Sequence, residues 1–161
     1  SMGRLFDGVS SLLGICHEST YEGQCAVELE NAAMLATQPA DANGCLFDVR
    51  ETAGEIIADA APCVRGVLAY LAAGESRNTV ALRFHIAVCR MILDVCLLLR
   101  KRFGLHTVAL SGGVFQNRIL LANVLPMLQQ EGFETLVNHL VPSGDGGVSL
   151  GQAYISHQMQ V

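Results

Sequence analysis

The chain has 161 residues, of which 51% are hydrophobic and 16% are charged, and its formal net charge at pH 7 is −5. This length and composition predict one packed globular domain and exclude an intrinsically disordered chain. Ten Lys and Arg residues stand against fifteen Asp and Glu residues. This balance argues against a nucleic-acid-binding protein, which needs a basic stripe to hold phosphates.

The six cysteines indicate a reducing environment. They lie at positions 16, 25, 45, 63, 89 and 96 and form no Cys-x-x-Cys pair. Several of them lie on apolar helical faces. Small buried thiols in the cytoplasm fit this pattern better than a disulfide framework or a zinc site. The most apolar segment, 80–99, is interrupted by Arg83, Arg90 and Asp94. A membrane span is therefore not expected, because a span needs about 20 mostly uncharged residues.

The first predicted element is an amphipathic helix over residues 3–13. Its apolar residues recur at intervals of three and four, and Gly14 follows as a stop. Asp7 lies among these apolar positions. Its carboxylate is either a solvated or capping group or a group that faces a cleft, and the sequence alone leaves both open.

A second helix is predicted after a polar segment. Ser19 or Thr20 can cap it, and Glu22 lies three residues after Ser19, as in a capping box. Capping alone would explain Glu22 without any binding role.

The middle of the chain alternates loop and helix signals. Residues 38–44, which include Pro39, predict a loop, and 45–48 a short extended piece. Residues 52–73 have a helical composition, and Pro62 is expected to break or kink that helix.

The longest and most apolar helix is predicted over 75–103, ending at Gly104. Such a helix is expected to be central. His85 shares a face with Cys89 and Cys96. A satisfied core or cleft-edge histidine is favoured over a metal ligand, because no second histidine lies four residues further along.

The C-terminal third predicts a strand, a helix, a second parallel strand and a last helix. The run 107–110 is apolar and β-branched, and Gly112 and Gly113 follow it before a leucine-rich helix. Free N–H groups at such a helix start bind phosphate or carboxylate, although many such turns are purely structural. Residues 133–137 predict the second strand, parallel to the first through a right-handed crossover.

Three glycines surround Asp145 in a second loop at 141–147, before a helix whose small residues would allow close packing on a sheet. Asp145 is either the N-cap of that helix or an oxygen ligand for a cation near bound phosphates. One carboxylate is not a metal site, and the chain has no paired-histidine motif to complete one. The sequence thus predicts a single α/β domain over 1–161, mainly helical at 1–104, with a β-α-β-α part at 105–161.

Four motifs, in this order and spacing, resemble the C-terminal region of the HypF-type carbamoyltransferases, which are hydrogenase maturation factors. They are Ser1-Met2-Gly3-Arg4-Leu5-Phe6-Asp7, Tyr21-Glu22-Gly23-Gln24, Ser111-Gly112-Gly113-Val114-Phe115-Gln116-Asn117-Arg118 and Pro142-Ser143-Gly144-Asp145-Gly146-Gly147-Val148-Ser149-Leu150-Gly151-Gln152-Ala153. The resemblance covers nearly the whole chain. It implies the second lobe of a carbamoyltransferase domain of the actin-like, sugar-kinase and Hsp70 ATPase (RNase H-like) type.

The resemblance implies an enzyme that uses carbamoyl phosphate and ATP to make a carbamoyl-adenylate. The carbamoyl group then passes to the C-terminal cysteine of the partner HypE, for the cyanide ligands of the [NiFe] hydrogenase centre. By the same resemblance, Gly112 and Gly113 contact nucleotide phosphate, with Asn117 beside them. Asp7, Glu22 and Gly23 would face the nucleoside.

Asp145 would complete a divalent metal site whose histidines belong to the other lobe. We therefore expect the chain to supply half of a two-lobed site. The chain alone is expected to fold but to have no catalytic activity. A non-catalytic nucleotide-binding or partner-docking module of the actin-like type is the alternative. The acidic net charge and the residues of the Ser111–Asn117 motif argue against membership of the related tRNA-modifying enzymes.

Overall fold

A computed structural model describes residues 1–38 and 40–159 of the chain. Pro39, which the sequence assigns to a loop, lies outside the described residues. The helices and strands follow one another in the order α1 (Met2–Leu12), α2 (Gln24–Met34), β1 (Asp48–Thr52), β2 (Glu55–Asp59), α3 (Ala61–Ala72), α4 (Arg77–Phe103), β3 (Thr107–Leu110), α5 (Arg118–Gln130), β4 (Glu134–Val137) and α6 (Val148–Gln158). Two short 3-10 helices, Gly113–Gln116 and Asp145–Gly147, precede α5 and α6.

Helix α4 is the centre of the fold, as its apolar sequence predicts. It packs against α2, α3, α5 and the β1–β2 hairpin, while α1 packs on α2. Phe84, Val88, Leu29 and Leu120 are fully buried where these helices meet. Ser76 caps α4 by accepting the N–H of Thr79 at 3.2 Å.

The predicted ends of the first and longest helices are confirmed. Gly14 follows α1 with φ +64°, and Gly104 ends α4 with φ +67°. Both glycines adopt the left-handed conformation in which a side chain would be strained.

The predicted helix over 52–73 is wrong in its first third. Residues 48–59 form an antiparallel hairpin in which Thr52 pairs with Glu55. Ala53 and Gly54 both have positive φ, at 52° and 84°, which is the conformation of a tight hairpin turn. This local turn prevails over the alanine-rich helical composition. Pro62 lies in the first turn of α3, so it begins a helix and does not break one.

The predicted capping box at α2 is also wrong. Gly23 is the N-cap, with φ +80°, and no side chain caps this helix. Gln24 instead uses its Oε1 atom to accept hydrogen bonds from Thr20, from N at 2.7 Å and from Oγ1 at 3.0 Å. Glu22 is exposed and takes no part in capping.

The strands β3 and β4 pair in parallel, with α5 between them in the chain, in the register Thr107 to Glu134 through Leu110 to Val137. Helix α6 forms where the sequence predicts it, but it does not use the close packing on a sheet that its small residues would allow. It has no buried residue, and its main contact is the 3-10 helix before it. Small residues permit close packing without driving it, and Leu150 and Ile155 remain exposed.

The prediction that all six cysteines are reduced is wrong for one pair. Cys16 and Cys25 form a disulfide across the turn between α1 and α2, with their Cα atoms 5.2 Å apart. Sequence spacing does not show this approach, because it depends on the path of the turn. The other four cysteines are free and buried, as predicted. Within the described residues, no helix is long and apolar enough to cross a membrane.

Candidate functional site

A cleft of about 760 Å³ joins the starts of α1 and α2 to the two glycine loops of the C-terminal part. Five of the seven residues singled out in the sequence line it: Glu22, Gly23, Gly113, Asn117 and Asp145. Asp7 lines an adjoining cavity of about 470 Å³, which shares Glu22 and Gly23 with the main cleft. Residues as far apart in the chain as Gly3 and Asp145 therefore meet at one surface.

Gly112 ties the two glycine loops together. Its N–H donates to the carbonyl of Ser143 at 2.7 Å, and its φ of +101° is unfavourable for other residues. A Cβ atom on Gly144 would lie 3.4 Å from Cα of Gly113, and one on Gly147 would lie 2.9 Å from the carbonyl oxygen of Pro142. The second loop is therefore packed closely against the first and on itself, which leaves little room for side chains.

Asn117 is the N-cap of α5, and both the oxygen and the nitrogen of its side-chain amide make hydrogen bonds. Its Oδ1 accepts the N–H of Leu120 at 3.0 Å, and its Nδ2 lies 3.0 Å from Nε2 of His85. Only 8% of Asn117 is exposed. Its side chain therefore shapes the wall of the cleft with no polar atom left free of protein partners.

His85 is the buried histidine that the sequence predicts, and none of it is exposed. Its Nδ1 lies 2.8 Å from the carbonyl oxygen of Ala81. Because a carbonyl only accepts, Nδ1 carries the proton, and Nε2 is left to accept from Asn117. Burial lowers the pKa of His85 to about 4, so the ring is neutral near pH 7. No sequence signal links His85 to the glycine turn, since Asn117 follows 32 residues later.

Glu30 is a cleft residue that the sequence analysis missed. Its carboxylate accepts the backbone N–H of Arg118 at 2.8 Å, and its side chain is largely buried at the cleft wall. The guanidinium of Arg118 lies 3.9 Å from the same carboxylate and is mostly exposed. On α2 the residue looks like any exposed glutamate, so only the tertiary fold identifies it.

These contacts change the predicted anion-binding position. Glu30 and Asn117 already satisfy the N–H groups of Arg118 and Leu120, so these two amides at the start of α5 are not free. The N–H groups of Gly113 and Val114 make no hydrogen bond within residues 1–38 and 40–159, and both residues line the cleft. The accessible donors are therefore one turn earlier than the helix start.

Asp145 is exposed at the start of the second 3-10 helix and lines the cleft. It does not cap α6, because Gly147 holds that position and no side chain bonds there. Its carboxylate is thus available for a ligand. Among the residues that the structure describes, no group of three or more His, Cys, Asp or Glu could hold a metal ion. The described residues alone therefore do not fit a complete metal site.

Carboxylates outnumber cations at the cleft. Glu22, Glu30 and Asp145 face it, against the guanidinium of Arg118. In the adjoining cavity, Asp7 lies 4.0 Å from Arg4, in a pair that is too exposed to hold either side chain firmly. A polyanionic ligand would need backbone donors or an added cation to offset these charges.

Comparison with known proteins agrees with the motifs. The profile of the family described as "Carbamoyltransferase, Kae1-like Domain, second subdomain" matches residues 1–152. The chain is 31% identical over 157 residues to the probable carbamoyltransferase HypF of Methanocaldococcus jannaschii, covering 96% of this chain and 20% of that protein. It is 36% identical over 157 residues to the carbamoyltransferase HypF of Rhodobacter capsulatus, covering 97% and 19%.

Solved structures show the same relationship. A crystal structure of full-length HypF in a phosphate- and nucleotide-bound form superimposes with a TM-score of 0.86 at 35% identity, covering 99% of this chain and 20% of that one. The structure of T. kodakarensis HypF gives a TM-score of 0.78 at 27% identity, with the same coverage. The chain spans about one fifth of the length of these relatives. It belongs to the HypF carbamoyltransferase family and corresponds to the second subdomain of its Kae1-like domain.

Proposed function

We propose that this chain forms one wall of the ATP site of a HypF-type carbamoyltransferase. The observation that carries the proposal is the cleft itself, which gathers the four sequence motifs around the free N–H groups of Gly113 and Val114. Its volume of about 760 Å³ lies within the usual range of small-molecule sites. We extend the proposal to an actin-like, two-lobed domain in a cytoplasmic enzyme.

In this proposal Gly112 and Gly113 form the phosphate-binding turn. Gly112 holds the turn against the second loop, and the backbone at Gly113 donates to the nucleotide phosphate without a charged side chain. Asp7, Glu22 and Gly23 face the nucleoside from the adjoining cavity. Asn117 fixes the end of the turn through its cap and makes no direct bond to the ligand.

The proposed reaction uses carbamoyl phosphate and ATP to form a carbamoyl-adenylate. Water cleaves carbamoyl phosphate to carbamate and phosphate, and the carbamate oxygen then attacks the α-phosphorus of ATP as pyrophosphate leaves. The sulfur of the C-terminal cysteine of HypE then attacks the carbamoyl carbon, forming a C–S bond as the bond to AMP breaks. This chemistry depends on positioning and on donors that offset developing charge. The chain supplies such donors at the cleft, and the thiocarboxamide formed on HypE would go on to the cyanide ligands of [NiFe] hydrogenase.

Asp145 is proposed to supply one oxygen ligand to a divalent cation, with histidines from the other lobe of the domain completing the set. Such a cation would offset the phosphate charge in this acidic cleft.

Titration with ATP by calorimetry tests the site. Gly113→Val places a side chain in the cleft at a position where a Cβ atom meets nothing within 4 Å. We expect at least a tenfold loss of affinity, that is roughly 1.4 kcal/mol. Gly151→Val, which is equally unhindered but lies on α6, is the matched control. Asp145→Ala is expected to weaken binding only when Mg²⁺ is present. If Gly113→Val and Asp145→Ala bound ATP as tightly as the wild-type chain, the assignment would be refuted.

An activity assay tests the two-lobe proposal. The chain alone should consume no ATP in the presence of carbamoyl phosphate, whereas a protein containing both lobes should. Turnover by the isolated chain would contradict the proposal that the site needs the other lobe. ATP binding without turnover by the two-lobed protein would favour the non-catalytic module.

A further inference from the structure

A buried chain of hydrogen bonds runs from α4 to the start of α5. It begins at the carbonyl of Ala81, passes through both nitrogens of His85 and the amide of Asn117, and ends at the N–H of Leu120, with steps of 2.8, 3.0 and 3.0 Å. His85 is fully buried and Asn117 is 8% exposed. Solvent therefore cannot easily replace any of these partners, and an unmade bond would leave a buried polar group unsatisfied.

This chain fixes the orientation of the Asn117 amide. An asparagine amide can turn by 180°, which exchanges its oxygen and nitrogen, and only its surroundings select one arrangement. The carbonyl of Ala81 fixes the proton on Nδ1 of His85. Nε2 must then accept, so Nδ2 of Asn117 faces His85 and Oδ1 faces the N–H of Leu120.

The orientation of Asn117 bears directly on the cleft. The N–H of Asn117 donates to the carbonyl of Val114 at 3.2 Å and closes the turn whose earlier N–H groups face the cleft. Glu30 holds the next amide, that of Arg118, from the other side. The end of the turn is thus anchored on two sides, by α4 through His85 and by α2 through Glu30.

We propose that His85 is a positioning residue, which selects the capping orientation of Asn117 and so holds the Gly112–Gln116 turn in its ligand-binding shape. The link to nucleotide affinity rests on the proposed function. The selection of the Asn117 orientation does not, and it is tested separately.

Two variants of His85 separate its hydrogen bond from its bulk. The side-chain oxygen of His85→Gln can accept from Asn117 near the position of Nε2, whereas His85→Leu has no acceptor. Val80→Ala, at a buried position of the same helix that does not line the cleft, is the control for a general loss of stability.

Three measurements on the 161-residue chain give the test. Nitrogen NMR should show the Nδ1–H tautomer of His85 in the wild type. Hydrogen exchange at Leu120 should be about five- to tenfold faster in the Leu variant than in the Gln variant, as expected for a lost cap. ATP affinity should fall by a similar factor in the Leu variant and recover in the Gln variant.

The possible results are distinct. An Nε2–H tautomer in the wild type overturns the proposal even where the variants do not fold. Equal Leu120 exchange in the Leu, Gln and Val80→Ala variants also overturns it. The expected exchange pattern in a chain that binds no ATP supports the role of His85 and counts against the nucleotide site. ATP binding that is unaffected in the Leu variant leaves the nucleotide site in place and refutes the link to His85.

Discussion

His85 makes the stability of the fold sensitive to mild acid. Burial lowers its pKa from 6.5 to about 4, so the unfolded chain binds a proton at pH values where the folded chain does not. Its contribution is complete above pH 6.5 and is lost as the pH falls towards 4. The shift corresponds to about 3 kcal/mol in the free energy of unfolding.

Chemical denaturation between pH 7 and 4 measures this effect. Carboxylates also titrate in the lower part of this range, so the comparison is with His85→Gln, which keeps the acceptor but cannot be protonated. The stability advantage of the wild type over this variant should shrink by about 3 kcal/mol across the range. A constant difference at all pH values would show that His85 does not titrate as its burial requires.

Gly66 is the position where a single methyl group should be least tolerated. A Cβ atom there would lie 2.0 Å from the carbonyl oxygen of Gly44 and 2.8 Å from Cα of Cys45, both of which are backbone atoms. Gly66→Ala should therefore cost about 3 kcal/mol of unfolding free energy or more. Gly8→Ala, in the open on α1, should instead gain roughly 0.5 to 1 kcal/mol. Similar melting temperatures for the two variants would mean that α3 does not approach the 44–45 loop this closely.

At the scale of elements, the sequence predicts regular helices well and local reversals poorly. The long periodic segments give α1 and α4 with their glycine stops, and the strand–helix–strand order after Gly104 is also readable. The β1–β2 hairpin is missed because Ala53 has a positive φ, which its residue type does not predict. The N-cap of α2 is missed because Gly23, and not a hydroxyl side chain, fills it.

The candidate site divides in the same way. Glycines and an aspartate in recognisable loops mark Gly112, Gly113 and Asp145 in the sequence. The roles of Glu30 and His85 are not predicted, because they arise from contacts across 88 and 32 residues, with Arg118 and Asn117. Local patterns carry no record of such distant partners, so the supporting residues of a site are harder to predict than its loops.

The disulfide between Cys16 and Cys25 should stabilise the turn that leads to Glu22 and Gly23. It closes a loop with a sequence separation of nine residues, for which chain entropy predicts about 2 to 3 kcal/mol. A reducing agent should lower the free energy of unfolding of the wild type by this amount. The double variant Cys16→Ser/Cys25→Ser should not respond to it.

Thiol titration of the denatured chain provides an independent check on the disulfide. Without reductant it should count four thiols, those of Cys45, Cys63, Cys89 and Cys96. A count of six would show that the pair is reduced in solution, as the cytoplasmic expectation requires.

At the scale of the whole molecule, burial is uneven. The core lies around α4, where α2, α3 and α5 meet, whereas α6 has no buried residue. The glycine loops and the cleft lie between these two regions of the chain. A site built at this border is anchored firmly on the α4 side and weakly on the α6 side.

This asymmetry predicts that α6 opens far more easily than α4. Few contacts hold its apolar residues, and Val148, Leu150, Tyr154 and Ile155 are more than half exposed. Amide exchange in α6 should therefore report opening free energies within about 1 to 2 kcal/mol of zero, while the buried middle of α4 exchanges only through global unfolding.

Substitution gives the matching thermodynamic result. Leu150→Gln/Ile155→Gln should change the free energy of unfolding by less than about 0.5 kcal/mol, as for exposed positions. Leu29→Ala, at a fully buried position on α2, should cost about 2 to 5 kcal/mol. Protection of α6 as strong as that of α4 would mean that its apolar residues are covered in solution. If that protection fell on dilution of the chain, the cover would be a second copy.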